Sequence, residues 1–350
     1  MKSTSISTPS VKPIPVPPKG SEVLWKLDQP YQAKHLLLVL FILFVLIYTG
    51  KRTEMDRMVT MTGQAVGHLV GLNEESQVVR GLSRVGTSMW PLAVSEKEEI
   101  ARLSNFDRNN LPAFSHIEVQ ERSEQRMNMQ TLKMETEVER IEYLVKPFGY
   151  LWTVAIKVLQ TIEMALWGTI IAIIISAPIG YFSSANYTPN RFTYTLARAS
   201  ISLLRSVPEL IAALFLVLAF GFGPIAGVLA LGLHAAGFLG KFYAEDIENA
   251  DKKPQEPLEA IGAGKLKTLW YGVLPQIFPQ YIAYTLYILD RNIRMATVIG
   301  LVGAGGIGQE LKGRFDMFHY DHVATILLAI FVVVFILDQV SAYLRAKLIR

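Results

Sequence analysis

Long apolar runs without a single charge constrain this chain more than any other feature of its sequence. They are LLLVLFILFVLIY (36–48), MALWGTIIAIIISAPIGYF (164–182), LIAALFLVLAFGFGPIAGVLALGL (210–233) and VATILLAIFVVVFIL (323–337). A helix needs about 20 residues to cross a hydrocarbon core of roughly 30 Å, and these runs are at or near that length. With 51% hydrophobic and 18% charged residues, the composition also favours a membrane protein over a soluble enzyme.

Breaking signals divide the apolar sequence into an expected set of about six transmembrane helices. The third run is split at Gly221–Pro224, and residues 276–302 add a span that carries charges. The predicted spans are 33–49, 160–183, 200–221, 224–243, 276–303 and 322–343. The first span has the alternative of a secretory signal peptide, but no small-x-small cleavage pattern follows it. The expected fold class is an all-α polytopic membrane protein.

Lysine and arginine in the short loops predict the orientation of the chain. The N-terminal tail, segment 241–274 and the C-terminal residues are basic and fall on the same side of the predicted spans, which we expect to be the cytoplasm. The tail also contains the proline-rich PSVKPIPVPP and is expected to be a flexible arm. The predicted organisation is a cytoplasmic tail (1–32), a first transmembrane helix (33–49), an external helical segment (50–159), a transmembrane domain (160–343) with a projecting cytoplasmic helix at about 250–272, and a cytoplasmic C-terminus (344–350).

The external segment contains SEQRMNMQTLKMETEVERIEYLV (123–145), whose apolar residues are spaced by threes, fours and sevens. Those residues are Met127, Met134, Val138, Ile141 and Val145. This spacing predicts an amphipathic helix. Such a helix has two candidate uses. It packs against the membrane spans or a dimer mate, or it forms a docking surface for an external partner.

Two glycine patterns imitate nucleotide-binding sites. In ATVIGLVGAGGIGQEL (296–311), Gly303, Gly305 and Gly308 spell the dinucleotide fingerprint G-x-G-x-x-G. A fold that uses this fingerprint requires a soluble βαβ unit with an acidic residue on its second strand. The acid at a suitable distance, Asp321, is followed by a bilayer-length apolar run, so a membrane oxidoreductase is a weak alternative.

The second pattern, IGAGKLKT (261–268), looks like the end of a phosphate-binding P-loop. Leu266 stands where a P-loop needs serine or threonine, and Glu259 stands at its first glycine position. The chain also lacks cysteine, a His-Glu-x-x-His zinc pattern and a Gly-x-Ser-x-Gly nucleophile turn. We therefore expect no catalytic residue, no metal site and no enzyme activity in this chain. Energy for any transport must come from a gradient or from another subunit.

Charged residues inside the 276–303 span are the strongest local signal. Each of Asp290, Arg291 and Arg294 costs about 2.5–3.5 kcal/mol at a bilayer centre. An Asp290–Arg294 pair at i,i+4 returns only roughly 0.3–0.5 kcal/mol, so these groups require a protein interior or a watered pathway. Two readings remain: a structural salt bridge between helices, or a cationic lining that attracts an anion. A secondary transporter that uses Asp290 and Arg294 as a coupled pair is an alternative from another class.

Other polar residues near the spans are expected to have structural roles. Arg205 and Glu209 flank Pro208 at the start of the third span, which predicts an interfacial position for all three. His234 is isolated in the fourth span and is expected to pack between helices.

The polar segment 244–275 is broken by Pro254, Pro257 and Pro275. It predicts a short amphipathic helix, a glycine turn and a second helix that is terminated by Leu-Pro. An element that projects from the membrane in this way and has no catalytic groups is suited to docking a partner.

This projecting segment resembles the E-A-A-x-x-x-G-x9-I-x-L-P signature of bacterial ABC importer permeases. The matching positions are Glu256, Gly262, Leu274 and Pro275, and the departing positions are Pro257, Leu258 and Gly272. A downstream run, N-x-R-x-A-T-x-x-G-x-V-G-A-G-G-I-G at 292–308, is similar to that of the phosphonate-type permeases. Further similar stretches are MALWGTIIAIIISAPIGYFSSAN (164–186), RSVPEL (205–210) and GFGPIAGVLAL (221–231). The resemblance covers about 160–345 and does not explain segment 50–150.

The resemblance implies a type I ABC importer permease-like fold in the bacterial inner membrane, with both termini cytoplasmic. It implies a homodimer, two cytoplasmic ATPase subunits that bind ATP and Mg, and a periplasmic or lipid-anchored binding protein. The implied substrate is phosphonate, phosphite or a related phosphorus oxyanion, moved by alternating access. Another small anion or a zwitterion is the runner-up. No cofactor is expected on this chain, and no nucleic acid as a partner.

The resemblance also implies roles for individual residues. The implied ATPase-coupling residues are Glu256, Glu259, Ala260, Gly262, Leu274 and Pro275. The implied pathway residues are Asp290, Arg291, Asn292, Arg294 and Thr297. Gly303, Gly305, Gly306 and Gly308 are expected to break the helix and pack closely, as an outer gate or as a tight re-entry loop.

Overall fold

The computed structural model describes residues 33–71, 76–103, 106–108, 111–127 and 134–348, so the predicted cytoplasmic tail (1–32) lies outside the described residues. The helices are α1 (Ala33–Arg52), α2 (Met55–Leu69), α3 (Gln77–Ser88), α4 (Gly149–Phe182), α5 (Arg191–Ser206), α6 (Glu209–Phe220), α7 (Pro224–Asn249), α8 (Gln255–Ala260), α9 (Lys265–Thr268), α10 (Leu274–Ile299), α11 (Gly306–Asp316) and α12 (Tyr320–Leu348). The strands are β1 (Glu96–Glu99), β2 (His116–Met127) and β3 (Met134–Lys146). The described chain is mostly helical, as expected. It divides into two compact units, Met1–Gly81 and Leu82–Arg350.

The first unit contains α1 and α2, whose axes are bent by 71°. Apolar side chains from Leu36 to Tyr48 are exposed along α1, which contains the predicted first span. The bend falls where Glu54 adopts the left-handed conformation with a φ of 54°. That conformation is uncommon for a residue other than glycine, and it ends the first helix. The apolar surface of α1 is the surface that a lipid environment would cover.

The core of the second unit is built by α4, α7 and α10. Small residues let these helices approach closely, which favours helix association where no water is present to drive it. At Gly168 of α4, a Cβ atom would lie 2.9 Å from the Cβ of Leu231 on α7. At Gly180, it would lie 2.8 Å from the Cβ of Tyr243, so both glycines permit the contact between α4 and α7.

Among the described residues, three helices are long and apolar enough to cross a membrane, or up to five if each bent pair counts as one span. The three are α4, α7 and α12. The prediction was about six. α10 is 26 residues long but is not among these three helices, and its sequence contains the charged residues Asp290, Arg291 and Arg294.

The predicted span 200–221 is wrong as a single helix. Residues 191–206 form α5 and residues 209–220 form α6, and the two helices are bent by 90°. Val207 between them is extended, with φ −83° and ψ 118°. The ring of Pro208 disfavours the helical conformation of the residue before it, and proline has no N–H to continue the helix. The break therefore comes from Pro208, which the sequence analysis placed only at the start of a helix.

The predicted amphipathic helix at 123–145 is also wrong, because the described residues of this region form an antiparallel sheet. The strand order is β1-β3-β2, and β2 runs beside β3 with Met127 opposite Met134. Glutamates at every second position from Glu135 to Glu139 give the period of two that a strand requires. That period competes with the helical spacing of the apolar residues, and cross-strand pairs such as Arg140 Nε to Glu121 Oε1 at 3.0 Å favour the sheet.

Backbone contacts attach the sheet region to the helices that follow it. The N–H of Ala93 donates to the carbonyl of Asp321 at 3.4 Å, and the Thr325 hydroxyl donates to the carbonyl of Ala93 at 2.8 Å. The N–H of Leu151 donates to the carbonyl of Val94 at 3.4 Å. The segment before β1 therefore joins the start of α4 to the start of α12.

Candidate functional site

The charged stretch of α10 faces three different surroundings. Arg291 forms an ion pair with Glu209 of α6. Asp290 pairs with Arg294 one turn later, at 2.6 Å between carboxylate and guanidinium. The Asn292 amide donates to the Thr169 hydroxyl of α4 at 3.0 Å and is buried. Successive helical residues point about 100° apart, so neighbours in the sequence meet different helices.

Glu209, His234 and Arg291 form one buried cluster. Glu209 Oε1 lies 3.1 Å from His234 Nε2, and Arg291 Nη2 lies 3.0 Å from the same ring nitrogen. The other ring nitrogen of His234 lies 3.0 Å from the Val207 carbonyl, which the break before Pro208 leaves without a helical partner. Side-chain exposure is 13% for Glu209 and 8% for His234. Residues that the sequence analysis assigned to two separate roles, structural and pathway, therefore meet in one place.

The ring of Phe238 on α7 connects this cluster to Arg205 of α5. The guanidinium carbon of Arg291 lies 4.5 Å from the ring centroid, and that of Arg205 lies 4.8 Å from it. Cations at this distance from an aromatic face are attracted by its quadrupole. Sequence reasoning missed Phe238, because one phenylalanine in an apolar span gives no signal of a contact with arginine.

The remaining pathway candidates divide between exposed and internal positions. Arg294 keeps 46% of its side chain exposed, while its partner Asp290 keeps 7%. Asn292 faces α4, and the Thr297 hydroxyl lies 3.5 Å from the carbonyl of Ile293 on its own helix. Of these residues, Arg294 presents the most charge to an open surface of this chain.

The predicted helix break at the glycine run is confirmed. After α10 the backbone turns through Val302 and Gly303, where φ is −97° and 91°, and Gly305 has a φ of 94°. Close packing accompanies the turn: a Cβ atom at Gly308 would collide with the carbonyl oxygen of Thr297. The glycines of the dinucleotide fingerprint thus serve a helix-to-helix turn and not a strand-to-helix turn.

The projecting segment consists of α8, a turn and α9. Gly262 in the turn has a φ of 82°, which favours glycine, and both it and Gly264 have open space around the position of a Cβ atom. The expected coupling residues of this segment are exposed: Glu256, Glu259, Ala260 and Gly262. The expectation that Leu-Pro stops the second helix is wrong, because α10 begins at Leu274. Pro275 occupies its first turn, where a missing N–H costs least.

Side-chain contacts fix α8 to the loop between α4 and α5. The Tyr187 hydroxyl donates to Gln255 Oε1 at 2.8 Å, and the Lys265 ammonium donates to the carbonyl of Asn186 at 3.3 Å. Burial raises the pKa of the Tyr187 hydroxyl, which keeps it protonated as a donor. The projecting segment is therefore attached to the loop between α4 and α5.

A second ionic contact joins α5 to α7. Arg198 Nη2 lies 2.9 Å from both carboxylate oxygens of Glu248, and Arg198 Nε donates to the carbonyl of Ser183 at 2.9 Å. The N–H of Ala185 donates to Glu248 at 2.7 Å. Spacing in the sequence gives no sign of this contact, since the partner of Arg198 lies 50 positions away.

Within the described ranges, no group of three or more histidine, cysteine, aspartate or glutamate side chains is arranged to hold a metal ion.

Comparison with known proteins places this architecture in a family. Residues 176–350, which include α5 to α12 and the whole ionic cluster, match the sequence model of the binding-protein-dependent transport system inner membrane component. The chain belongs to this family. The match contains the projecting segment and the glycine turn, and leaves out the sheet.

Named relatives are similar over different lengths. The chain is 70% identical over 261 residues to the "Putative phosphite transport system permease protein HtxE" of Stutzerimonas stutzeri, covering 75% of this chain and 100% of that protein. It is 43% identical over 187 residues to the phosphite transport system permease protein PtxC of the same organism, covering 53% of this chain and 68% of that protein.

A solved structure shows the same fold. A chain of the MetNI methionine ABC transporter, in an inward-facing conformation, aligns with a TM-score of 0.51 at 19% identity. The alignment covers 57% of this chain and 98% of that chain. The fold of the helical domain is therefore that of a type I ABC importer permease, as expected.

Proposed function

We propose that this chain is the transmembrane permease subunit of an ATP-driven importer for phosphite, phosphonate or a related phosphorus oxyanion. The identity of 70% over the full length of the HtxE relative carries this proposal. The two guanidiniums of Arg205 and Arg291 at the Phe238 ring support it, because an anion that enters a low-dielectric region pays a large desolvation cost unless cations receive it. The site of action is the bacterial inner membrane, with both termini in the cytoplasm.

Partner subunits supply the energy in this proposal. Two cytoplasmic ATPase subunits bind ATP and Mg and grip the segment around α8. The exposed residues Glu256, Glu259, Ala260 and Gly262 form the contact, and Leu274 and Pro275 at the start of α10 transmit the motion. The contacts of α8 with Tyr187 support this role, because they join the segment to the α4–α5 loop.

A second permease subunit completes the pathway. We propose a homodimer in which Asp290, Arg291, Asn292, Arg294 and Thr297 contribute from α10 of each copy. The exposure of Arg294 supports a lining position, since a charge left half exposed within a membrane requires water or a protein partner. A periplasmic or lipid-anchored binding protein delivers the oxyanion, and the turn through Gly303, Gly305, Gly306 and Gly308 acts as the outer gate.

A co-purification experiment with a matched pair of variants tests the coupling. Gly262→Asp places a side chain in the left-handed conformation on the exposed turn, and Gly264→Asp adds the same charge two positions later at a φ of −70°. We expect Gly262→Asp to lose the ATPase subunits and Gly264→Asp to keep them. Retention of the ATPase by both variants, or the absence of any ATPase partner, contradicts the proposal.

The substrate is tested by ATPase stimulation in the reconstituted complex. A binding protein loaded with phosphite or methylphosphonate is expected to stimulate hydrolysis. Stimulation only by binding proteins for other small anions or zwitterions would show that the substrate is one of those compounds and not a phosphorus oxyanion. Uptake that follows an ion gradient without ATP would instead identify a secondary transporter.

A further inference from the structure

Among the described residues, Arg205 has no acidic side chain paired with it. Arg205 stands in the last turn of α5, and its Nε atom is buried without a hydrogen-bond partner. In the part of the chain that the structure describes, Arg205 forms no ion pair, and its guanidinium lies over the Phe238 ring. Its stem packs against Gly237, where a Cβ atom would lie 2.8 Å from Arg205 Cγ. Packing thus holds the side chain in place without a charge partner.

The charges around Phe238 do not balance. Two guanidiniums, those of Arg205 and Arg291, lie over its ring, and Glu209 supplies one carboxylate, which is bound to Arg291. The fourth member, His234, contributes an imidazole that is neutral or positive. Arg205 is partly buried and its Nε has no partner, so the excess positive charge around Phe238 favours an additional anion.

We propose that Arg205 and Arg291 form an oxyanion-binding site, and that Glu209 is a built-in counter-ion which the incoming anion displaces from Arg291. The inference rests on the proposed function and names the residues that receive the phosphorus oxyanion. A tetrahedral oxyanion presents several acceptor oxygens, and the planar fork of arginine binds such groups through two parallel hydrogen bonds. Phe238 keeps both guanidiniums in position before the anion arrives.

The position of Glu209 explains how the site releases its ligand. Glu209 is the first residue of α6, directly after the 90° break at Val207–Pro208. A hinge of this kind lets α6 move relative to α10, which changes the distance from Glu209 to Arg291. When Glu209 returns to Arg291, it competes with the bound oxyanion. The arginines therefore attract the anion without trapping it.

Direct binding of labelled phosphite to the complete permease–ATPase complex, measured without the binding protein, tests this site. Arg205→Gln is expected to weaken phosphite binding by about tenfold, because it removes one arginine fork. Glu209→Gln is expected to strengthen binding by several fold, because it removes the competing carboxylate. Arg191→Gln is the matched control, since Arg191 is an exposed arginine at the other end of α5, and it is expected to bind like the wild type.

The opposite signs of the two effects separate the site from a loss of folding. Unchanged affinity in both variants, weaker binding by Glu209→Gln, or no phosphite binding by the wild type at millimolar concentration would each overturn the inference. If Arg205→Gln does not assemble, Arg205→Lys keeps the charge without the fork and is expected to bind with an intermediate affinity. Stimulation of the wild-type ATPase by the phosphite-loaded binding protein tests the proposed function separately, so a failure of the site alone is recognisable.

Discussion

The middle and the last turn of α5 use arginine in opposite ways. Arg198 and Arg205 lie seven positions apart, about two helical turns, and both face α7. Arg198 binds both oxygens of Glu248 through Nη2 and a backbone carbonyl through Nε, so its charge has a carboxylate partner within the chain. Among the residues that the structure describes, Arg205 contacts the Phe238 ring and has no acidic partner. An arginine with a carboxylate partner on another helix stabilises the packing of the two helices. An arginine without such a partner is available to bind an anion.

Removing each arginine in turn is expected to give the largest difference in stability between the two positions. Arg198→Met is expected to lower the free energy of unfolding by about 2 kcal/mol, because the partly buried Glu248 loses its charged partner. Arg205→Met is expected to change it by less than about 0.5 kcal/mol, or to stabilise, because removing a charge that lacks an anion offsets the lost contact with Phe238. Denaturant unfolding of the purified protein in detergent, in buffers free of phosphorus oxyanions, measures both. Equal losses would show that the two arginines do not differ.

The comparison extends to Arg294, which has a carboxylate partner and still presents an exposed guanidinium. Arg294→Gln is expected to reduce phosphite uptake by about tenfold, while a retained hydrogen bond to Asp290 limits the loss of stability to about 1 kcal/mol. Lys312→Gln is the control, because Lys312 forms a similar i,i+4 pair with Asp316 on α11. Near-normal uptake by Arg294→Gln would reject its pathway role.

The smallest effect concerns the contact between Arg205 and Phe238. A double-mutant cycle with Arg205→Met and Phe238→Leu is expected to give a coupling energy of about 0.5–1 kcal/mol. The same cycle with Phe242→Leu is expected to give none, because the Phe242 ring stacks on Tyr284 and touches neither arginine that Phe238 holds. Unfolding free energies of the four proteins in each cycle supply the measurement. Equal couplings would remove Phe238 from the site.

The features that the sequence predicts best are those that depend on a residue and its immediate neighbours in the chain. A charge within an apolar span is costly, so the sequence predicts that Asp290, Arg291 and Arg294 need protein or water around them, and the structure pairs Arg291 with Glu209 and Asp290 with Arg294. The helix break at the glycine run was predictable for the same reason, because the glycines that allow the turn are the residues that form it.

Sequence reasoning failed where the deciding contact is distant along the chain. The partner of Arg291 lies 82 positions away, and spacing rules describe only i,i+3 and i,i+4 neighbours. Glu209 therefore received a local, interfacial role beside Pro208. The sheet was missed because apolar spacing alone suggested a helix for 123–145, while strand pairing is a contact between segments.

Uptake of labelled phosphite by proteoliposomes is the direct test of ATP-driven phosphite import. The vesicles contain this chain with its ATPase subunits, and the phosphite-loaded binding protein is added outside. We expect uptake that requires both ATP and the binding protein, and that is lost in Gly262→Asp but kept in Gly264→Asp. Phosphite uptake that proceeds without ATP, or no phosphite uptake by an assembled wild-type complex that hydrolyses ATP, would contradict it.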